Sequence, residues 1–194
     1  MSKMKRYSAL ALCLLLVFSL MLSGCNGSKD PEPAQSADAT YKVTVVDGLG
    51  NASLMDDANV PSLLALPYLE VCSQEDPLYL RTRTFVLSRR NPYYQEGVFA
   101  SGVGSPHTPE GYIWPIALCV QGMTSPDNAE VAKILHTLMT THAGTGFMHE
   151  SFDPDAPENF TRSWFAWANS MFGELLYRLY EENRLAEVIR LAMA

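Results

Sequence analysis

SPDNAEVAKILHTLMTTHAG, residues 125–144, decides the fold class. Ser125 supplies a helix N-cap, Pro126 suits the first helical position, and Asp127 sets an acid where the helix dipole favours one. Val131, Ile134, Leu135 and Leu138 then recur at three- and four-residue intervals as one apolar stripe, and Gly144 stops the helix. The same pattern yields helices on either side. Asp57 or Asn59 caps a segment with Pro61 in its first turn and Leu63, Leu64, Leu66 and Leu69 inside, kinked or shortened by Pro67. Asp76-Pro77 opens a second helix that carries Leu78, Leu80, Phe85 and Val86 to about Ser88. Residues 113–121 are apolar nearly all round, which implies burial on several sides. Thr161 caps residues 163–182, where Trp164 and Trp167 share a helix face, and residues 185–193 make a last short helix. Only residues 42–46 read as β-prone, so the class is all-α, built of helical hairpins.

Two long loops, residues 89–112 and 144–161, interrupt the helices and hold most of the glycine, proline and unusual polar residues. Tyr93, Tyr94, Phe99, Phe147 and Phe152 give them enough to bury that disorder is not expected, and ordered loops of that length are usually functional. The second begins GTGFMHESF, in which two glycines bend the chain out of the helix and present His149 beside Glu150. A polar surface loop and a reactive pair are both open readings of that dipeptide.

The N-terminus carries a different message. Lys3, Lys5 and Arg6 precede an apolar run over residues 9–22, and Leu22-Ser23-Gly24-Cys25 follows as a small-residue cleavage site ending in cysteine. It resembles a bacterial lipobox, with Cys25 as the lipidated new N-terminus, residues 1–24 as signal peptide and residues 25–40 as a flexible tether. The alternative is a transmembrane helix, for which the run is short against the ~20 residues a bilayer requires. The expected location is therefore the cell membrane, lipid-anchored on its extracytoplasmic face. Residues 41–194 form one domain of ordinary size.

Without Lys3, Lys5 and Arg6 the chain keeps 11 basic against 21 acidic residues, a net charge of −10, which disfavours nucleic acid as a partner. Cys72 and Cys119 lie in apolar runs and read as free thiols, with a disulfide between them left open. No spacing of Cys, His and carboxylates matches a zinc or calcium site, and no cofactor is called for. No serine or cysteine nucleophile motif occurs either. Asp56 and Asp57, Arg81 and Arg83, the run from Ser105 through His107 to Trp114, His149-Glu150, and Arg162 through Trp164 to Asn169 are the polar clusters that compete for a role. Helix capping by the aspartates, solvent exposure of the arginines and core packing of the tryptophans are the structural alternatives. Together, carboxylates, amides and aromatics on rigid loops suit a sugar pocket.

LMDDANVPSLLALPYL, GVGSPHTPEGYIWPIAL, QGMTS, AGTGFMHESF and TRSWFAWANSMFGELL resemble glycoside hydrolase family 125, metal-independent exo-α-1,6-mannosidases, over about residues 46–179. The resemblance implies part of an (α/α)6 toroid with active-site loops at one end. It implies removal of terminal α-1,6-linked mannose with inversion from α-mannoside glycans, without metal or cofactor. It further implies Glu150 as the catalytic base, with His149, His107, Arg83, Asp56, Asp57 and Trp164 lining the pocket. The family's general acid is an aspartate upstream of the Met55-Asp56-Asp57 block, and the matching blocks are those of the C-terminal part. The expectation that follows is a truncated enzyme with little activity alone, Asp47, Asp56 or Asp57 being the acids nearest to hand. Self-association would cover the faces of an open toroid. A non-catalytic mannoside-binding module and an inactive gene remnant are the alternatives.

Overall fold

The computed structural model describes residues 40–41, 44–46, 49–50 and 52–194. The signal peptide and Cys25 expected at residues 1–25, the tether up to residue 39 and Asp47 lie outside the described residues.

Among the described residues five helices carry the core. Helix α1, Pro77–Val86, starts where Asp76 accepts hydrogen bonds from the Leu78 and Tyr79 amides, with Pro77 where its missing N–H costs nothing. Tyr79, Thr82, Phe85 and Val86 form its buried stripe; Leu80, expected inside, is exposed. Helix α2, Pro115–Met123, buries every residue but Gln121, as its all-round apolar character requires. Helix α3, Asn128–Thr140, buries Val131, Ala132, Ile134, Leu135 and Leu138. Its cap is Asp127, which accepts from the Ala129 amide, rather than Ser125, so Pro126 precedes the helix. The Ser125 hydroxyl instead donates to Glu130 and accepts from the Asp127 amide.

Helix α4, Ala166–Glu181, presents Ala168, Met171, Leu175 and Leu179 along one face, and α5, Leu185–Ala192, presents Val188 and Ala192. Helix α2 packs on α3 and α4, and α5 closes against both of those, so α2 is the central element. Gly122 allows the approach: a Cβ there would sit 3.1 Å from Leu175 Cδ1. Burying each such leucine is worth about 1.5–3 kcal/mol, and that apolar seam rather than helix propensity holds the helices together. Short connections between α2 and α3 and between α4 and α5 make αα-hairpins, an all-α architecture that matches part of an (α/α)6 toroid.

Three expectations are corrected. Residues 62–72 form consecutive turns instead of a helix, since prolines at 61 and 67 leave too few consecutive donors. The Tyr79 hydroxyl pins that segment to α1 through the Leu64 carbonyl. Helix α4 begins after Phe165, which has no side-chain cap bond, and Thr161 belongs to a strand; Trp164 therefore precedes the helix and shares no helix face with Trp167. Finally, the loops contain structure of their own. Two-stranded antiparallel ribbons join β1, Thr44–Val46, to β2, Ala52–Leu54; β3, Tyr94–Glu96, to β4, Ser101–Val103; and β5, Ser151–Phe152, to β6, Phe160–Thr161. Cys72 and Cys119 are free, and burial pushes the Cys119 thiol pKa up. Among the described residues no helix is long and apolar enough to cross a membrane.

Candidate functional site

The dipeptide His149-Glu150 sits where the chain leaves α3 and enters β5. After α3, Ala143, Gly144 and Gly146 all adopt left-handed φ, the bend that the two glycines make affordable. The Asn169 side-chain oxygen accepts from the Met148 amide, while its amide nitrogen donates to the Met148 and Phe165 carbonyls, clamping the loop to α4. The Glu150 amide then donates to the Thr161 carbonyl, and Ser151 and Thr161 hydroxyls lie 2.8 Å apart.

His149 points inward and is 1% exposed. Its Nδ1 lies 3.1 Å from the Ser163 carbonyl oxygen, which can only accept, so Nδ1 carries the proton. The ring stacks on Phe160 with centroids 3.8 Å apart, and Nε2 is buried without a hydrogen-bond partner among the described residues. Burial lowers its pKa, outweighing the backbone carbonyls of Ser163, His142 and Arg162 that favour the charged form. Glu150 is less enclosed, with 13% of its side chain exposed. Arg162 Nε stands 3.4 Å from its Oε2, and among the described residues no hydrogen bond reaches Oε1. Arg162 itself has φ of 46° and lays its guanidinium 5.4 Å from the Phe165 ring centre.

A second cluster surrounds the two aspartates. Asp56 is 5% exposed and caps the turns after it, accepting from the Leu63 and Leu64 amides. Burial pushes its pKa up to about 6 against those two bonds, with some help from the neighbouring Asp57 charge. Buried Asn91 holds its main chain from the other side, accepting from the Asp56 amide and donating to the Asp56 carbonyl. Asp57 accepts from the backbone amide and the side chain of Asn59, whose side chain also reaches the Ser105 hydroxyl; that hydroxyl accepts in turn from the His107 amide. The His107 ring is exposed. A cavity of 660 Å3 opens here between Asp56, Asp57, Leu63, Tyr93 and Pro106. It adjoins a second of 340 Å3 that shares Tyr93 and Pro106 and extends to Glu110 and Tyr112.

Main-chain bonds join the clusters. Ala58 donates to Gly104, Gly104 to Tyr93, and Trp114 to Val103, while Ile113 and Phe152 exchange bonds that bring β5 alongside. The loops that carry Asp56, Asp57, His107, His149, Glu150 and Trp164 are thus joined through their main chains into one platform, while the cavities described above are lined by Asp56 and Asp57 and not by His149 or Glu150. Arg83 does not share that platform. Its guanidinium meets Glu130 at 2.7 Å and the Gln121 carbonyl at 3.3 Å, so it braces α1 against α2 and α3 instead of facing solvent. Burial works to raise the Glu130 pKa, yet hydrogen bonds from Gln121, Ser125 and Arg83 outweigh it and hold that carboxyl low. Trp164 is 57% exposed. Ser105 and Arg162 head two of the polar runs that the sequence offers, with no role of their own expected there, and Asn91 stands outside those runs. Among the described residues no three His, Cys, Asp or Glu side chains gather as a metal site would need.

Comparison with known proteins places these blocks in context. The family model described as metal-independent alpha-mannosidase (GH125) matches residues 37–177. The meiotically up-regulated gene 157 protein of Schizosaccharomyces pombe is 50% identical over 139 residues, which cover 71% of this chain and 27% of that protein. A Streptococcus pneumoniae metal-independent alpha mannosidase, solved as a non-productive substrate complex with alpha-1,6-mannobiose, superposes with a TM-score of 0.65 at 45% identity. That match covers 72% of this chain and 36% of the Streptococcus chain. The chain therefore spans about a quarter to about a third of the relatives it matches. With the loop platform built from the matched residues, the chain belongs to the GH125 family of metal-independent α-mannosidases.

Proposed function

We propose that this chain provides the base-bearing part of a glycoside hydrolase that releases terminal α-1,6-linked mannose with inversion. The observation that carries the reading is the Glu150 carboxylate, ion-paired on one oxygen with Arg162 and, among the described residues, without a hydrogen bond on the other, within a chain of the mannosidase family. In this mechanism a water molecule gives a proton to Glu150 as its oxygen bonds to the anomeric carbon. The glycosidic bond breaks, and the departing oxygen takes a proton from a carboxylic acid on the opposite face, about 6.5–9.5 Å from the base. Asp57, His107 and Trp164 are the sugar contacts in this reading. Asp56 and His149 direct polar atoms at the protein and shape the loops, while Arg83 stands apart from them and braces helices. Anchoring through Cys25 belongs to the same proposal and is tested by incorporation of labelled fatty acid that a Cys25→Ala change removes.

The activity test is release of mannose from α-1,6-mannobiose by the purified protein, with the anomer first formed read by NMR. Glu150→Gln should lower turnover about 100- to 10,000-fold, the span of a lost general base. Turnover unaffected by that change sinks the assignment of Glu150. A second reading, a mannoside-binding module without catalysis, is favoured by the exposure of Phe147, Trp164 and Trp167 close to the platform in sequence. Calorimetric titration with α-1,6-mannobiose separates the two: heat of binding without turnover supports the module, and neither signal removes both.

A further inference from the structure

Arg162 is held from both sides by partners of its neighbours. Before it, the Thr161 carbonyl accepts from the Glu150 amide and the Thr161 hydroxyl pairs with Ser151; after it, the Ser163 carbonyl meets His149 Nδ1. Two consecutive anchors onto residues 149–151 leave residue 162 to absorb the turn, and it does so at φ of 46°, a conformation an arginine adopts only under constraint. That turn brings the side chain back over Glu150, where the Phe165 ring supports the guanidinium. With its side chain 64% exposed, Arg162 adds little to stability through an ion pair that solvent screens. The contact's consequence is orientation. Arg83 and Glu130 make the contrasting case, an enclosed pair whose hydrogen bonds all serve helix packing.

We propose that Arg162 is a positioning residue for Glu150: its guanidinium holds Oε2 and leaves Oε1 directed at the water that attacks the sugar. The consequence for turnover rests on the mannosidase reading, whereas the pairing does not. The test has two readouts. In protein labelled with carboxylate-13C glutamate, the Glu150 signal is assigned by its loss in Glu150→Gln. It should be displaced in Arg162→Ala and stay in place in Arg190→Ala, a control whose own exposed partner is Glu187. With α-1,6-mannobiose, Arg162→Ala should lower kcat about 10- to 100-fold, the scale of a misplaced reacting group, and leave KM within about twofold. Arg162→Lys should fall between the two, and added guanidinium ion should restore part of the activity of Arg162→Ala and none of that of Glu150→Gln. An unmoved Glu150 signal overturns the proposal. So does a rise in KM at constant kcat, which would make Arg162 a substrate contact. A displaced signal in a protein without any turnover leaves the pairing standing and removes catalysis by this chain on its own.

Discussion

Asp56 and Glu150 are acids on the same loop platform, and their surroundings give them opposite work. Both Asp56 oxygens accept main-chain N–H groups, and Asn91 fixes its backbone, so each oxygen is engaged in holding the fold. Glu150 has one oxygen beside Arg162 and the other without a protein donor among the described residues. Burial does not make the distinction, since both side chains are largely enclosed. The identity of the partners does: a carboxylate with both oxygens engaged by main chain holds a fold, and one with an oxygen that meets no protein donor can handle a proton.

If that contrast is right, the two sites respond to mutation in different currencies. The largest effect is expected in turnover of α-1,6-mannobiose, where Glu150→Gln removes about 100-fold or more while chemical denaturation shows a change within about 0.5 kcal/mol. A strongly destabilised Glu150→Gln protein would break the comparison. Gly104→Ala comes next, in stability. A Cβ there would lie 2.1 Å from the Tyr112 carbonyl oxygen, which is backbone and cannot swing aside, so we expect a loss of about 3 kcal/mol in urea unfolding. An alanine accommodated without loss would mean that the junction between the two clusters is not rigid. Asp56→Ala follows at about 2 kcal/mol at neutral pH, from the lost caps on Leu63 and Leu64 offset by relief of a buried charge.

The same division explains what could be read in the sequence. Asp76-Pro77, the apolar run of α2 and the stripe of α3 act over neighbouring turns, so period and capping chemistry found them. The ribbons in the long loops have strands of two or three residues, too short to show an alternation. Their pairing depends on partners distant in sequence. For Arg83 the sequence offered a pocket role or solvent exposure and not a brace between helices, because its partner, Glu130, lies 47 residues further on. Glu150 is proposed from its block, yet Arg162, twelve positions later, becomes its neighbour only through the register of β5 on β6. Asn91 makes one local bond, from the Tyr93 amide, but its three side-chain bonds to Asp56 and Val86 exist only after folding.

The smallest expected effect sharpens the comparison through pH, because Asp56 and His149 are displaced in directions that oppose each other. Asp56 binds its proton more tightly when folded, about 6 against 3.8, so its contribution is fully present below pH 3.8 and is lost as pH rises through about 6. His149 binds its proton less tightly when folded, so its contribution is present above pH 6.5 and is lost as pH falls through its lowered value. In wild-type protein the two slopes partly cancel across the acid range. His149→Phe keeps a ring to stack on Phe160 and removes the titration, so its melting temperature should fall less than that of wild type between pH 7 and pH 5. In Asp56→Ala the cost of the substitution should grow between pH 7 and pH 4, by on the order of 1 kcal/mol. Parallel melting profiles for the wild type and both variants would mean that neither group is held in the protonation state its burial implies. The buried carboxylate and the stacked imidazole would then be wrongly placed.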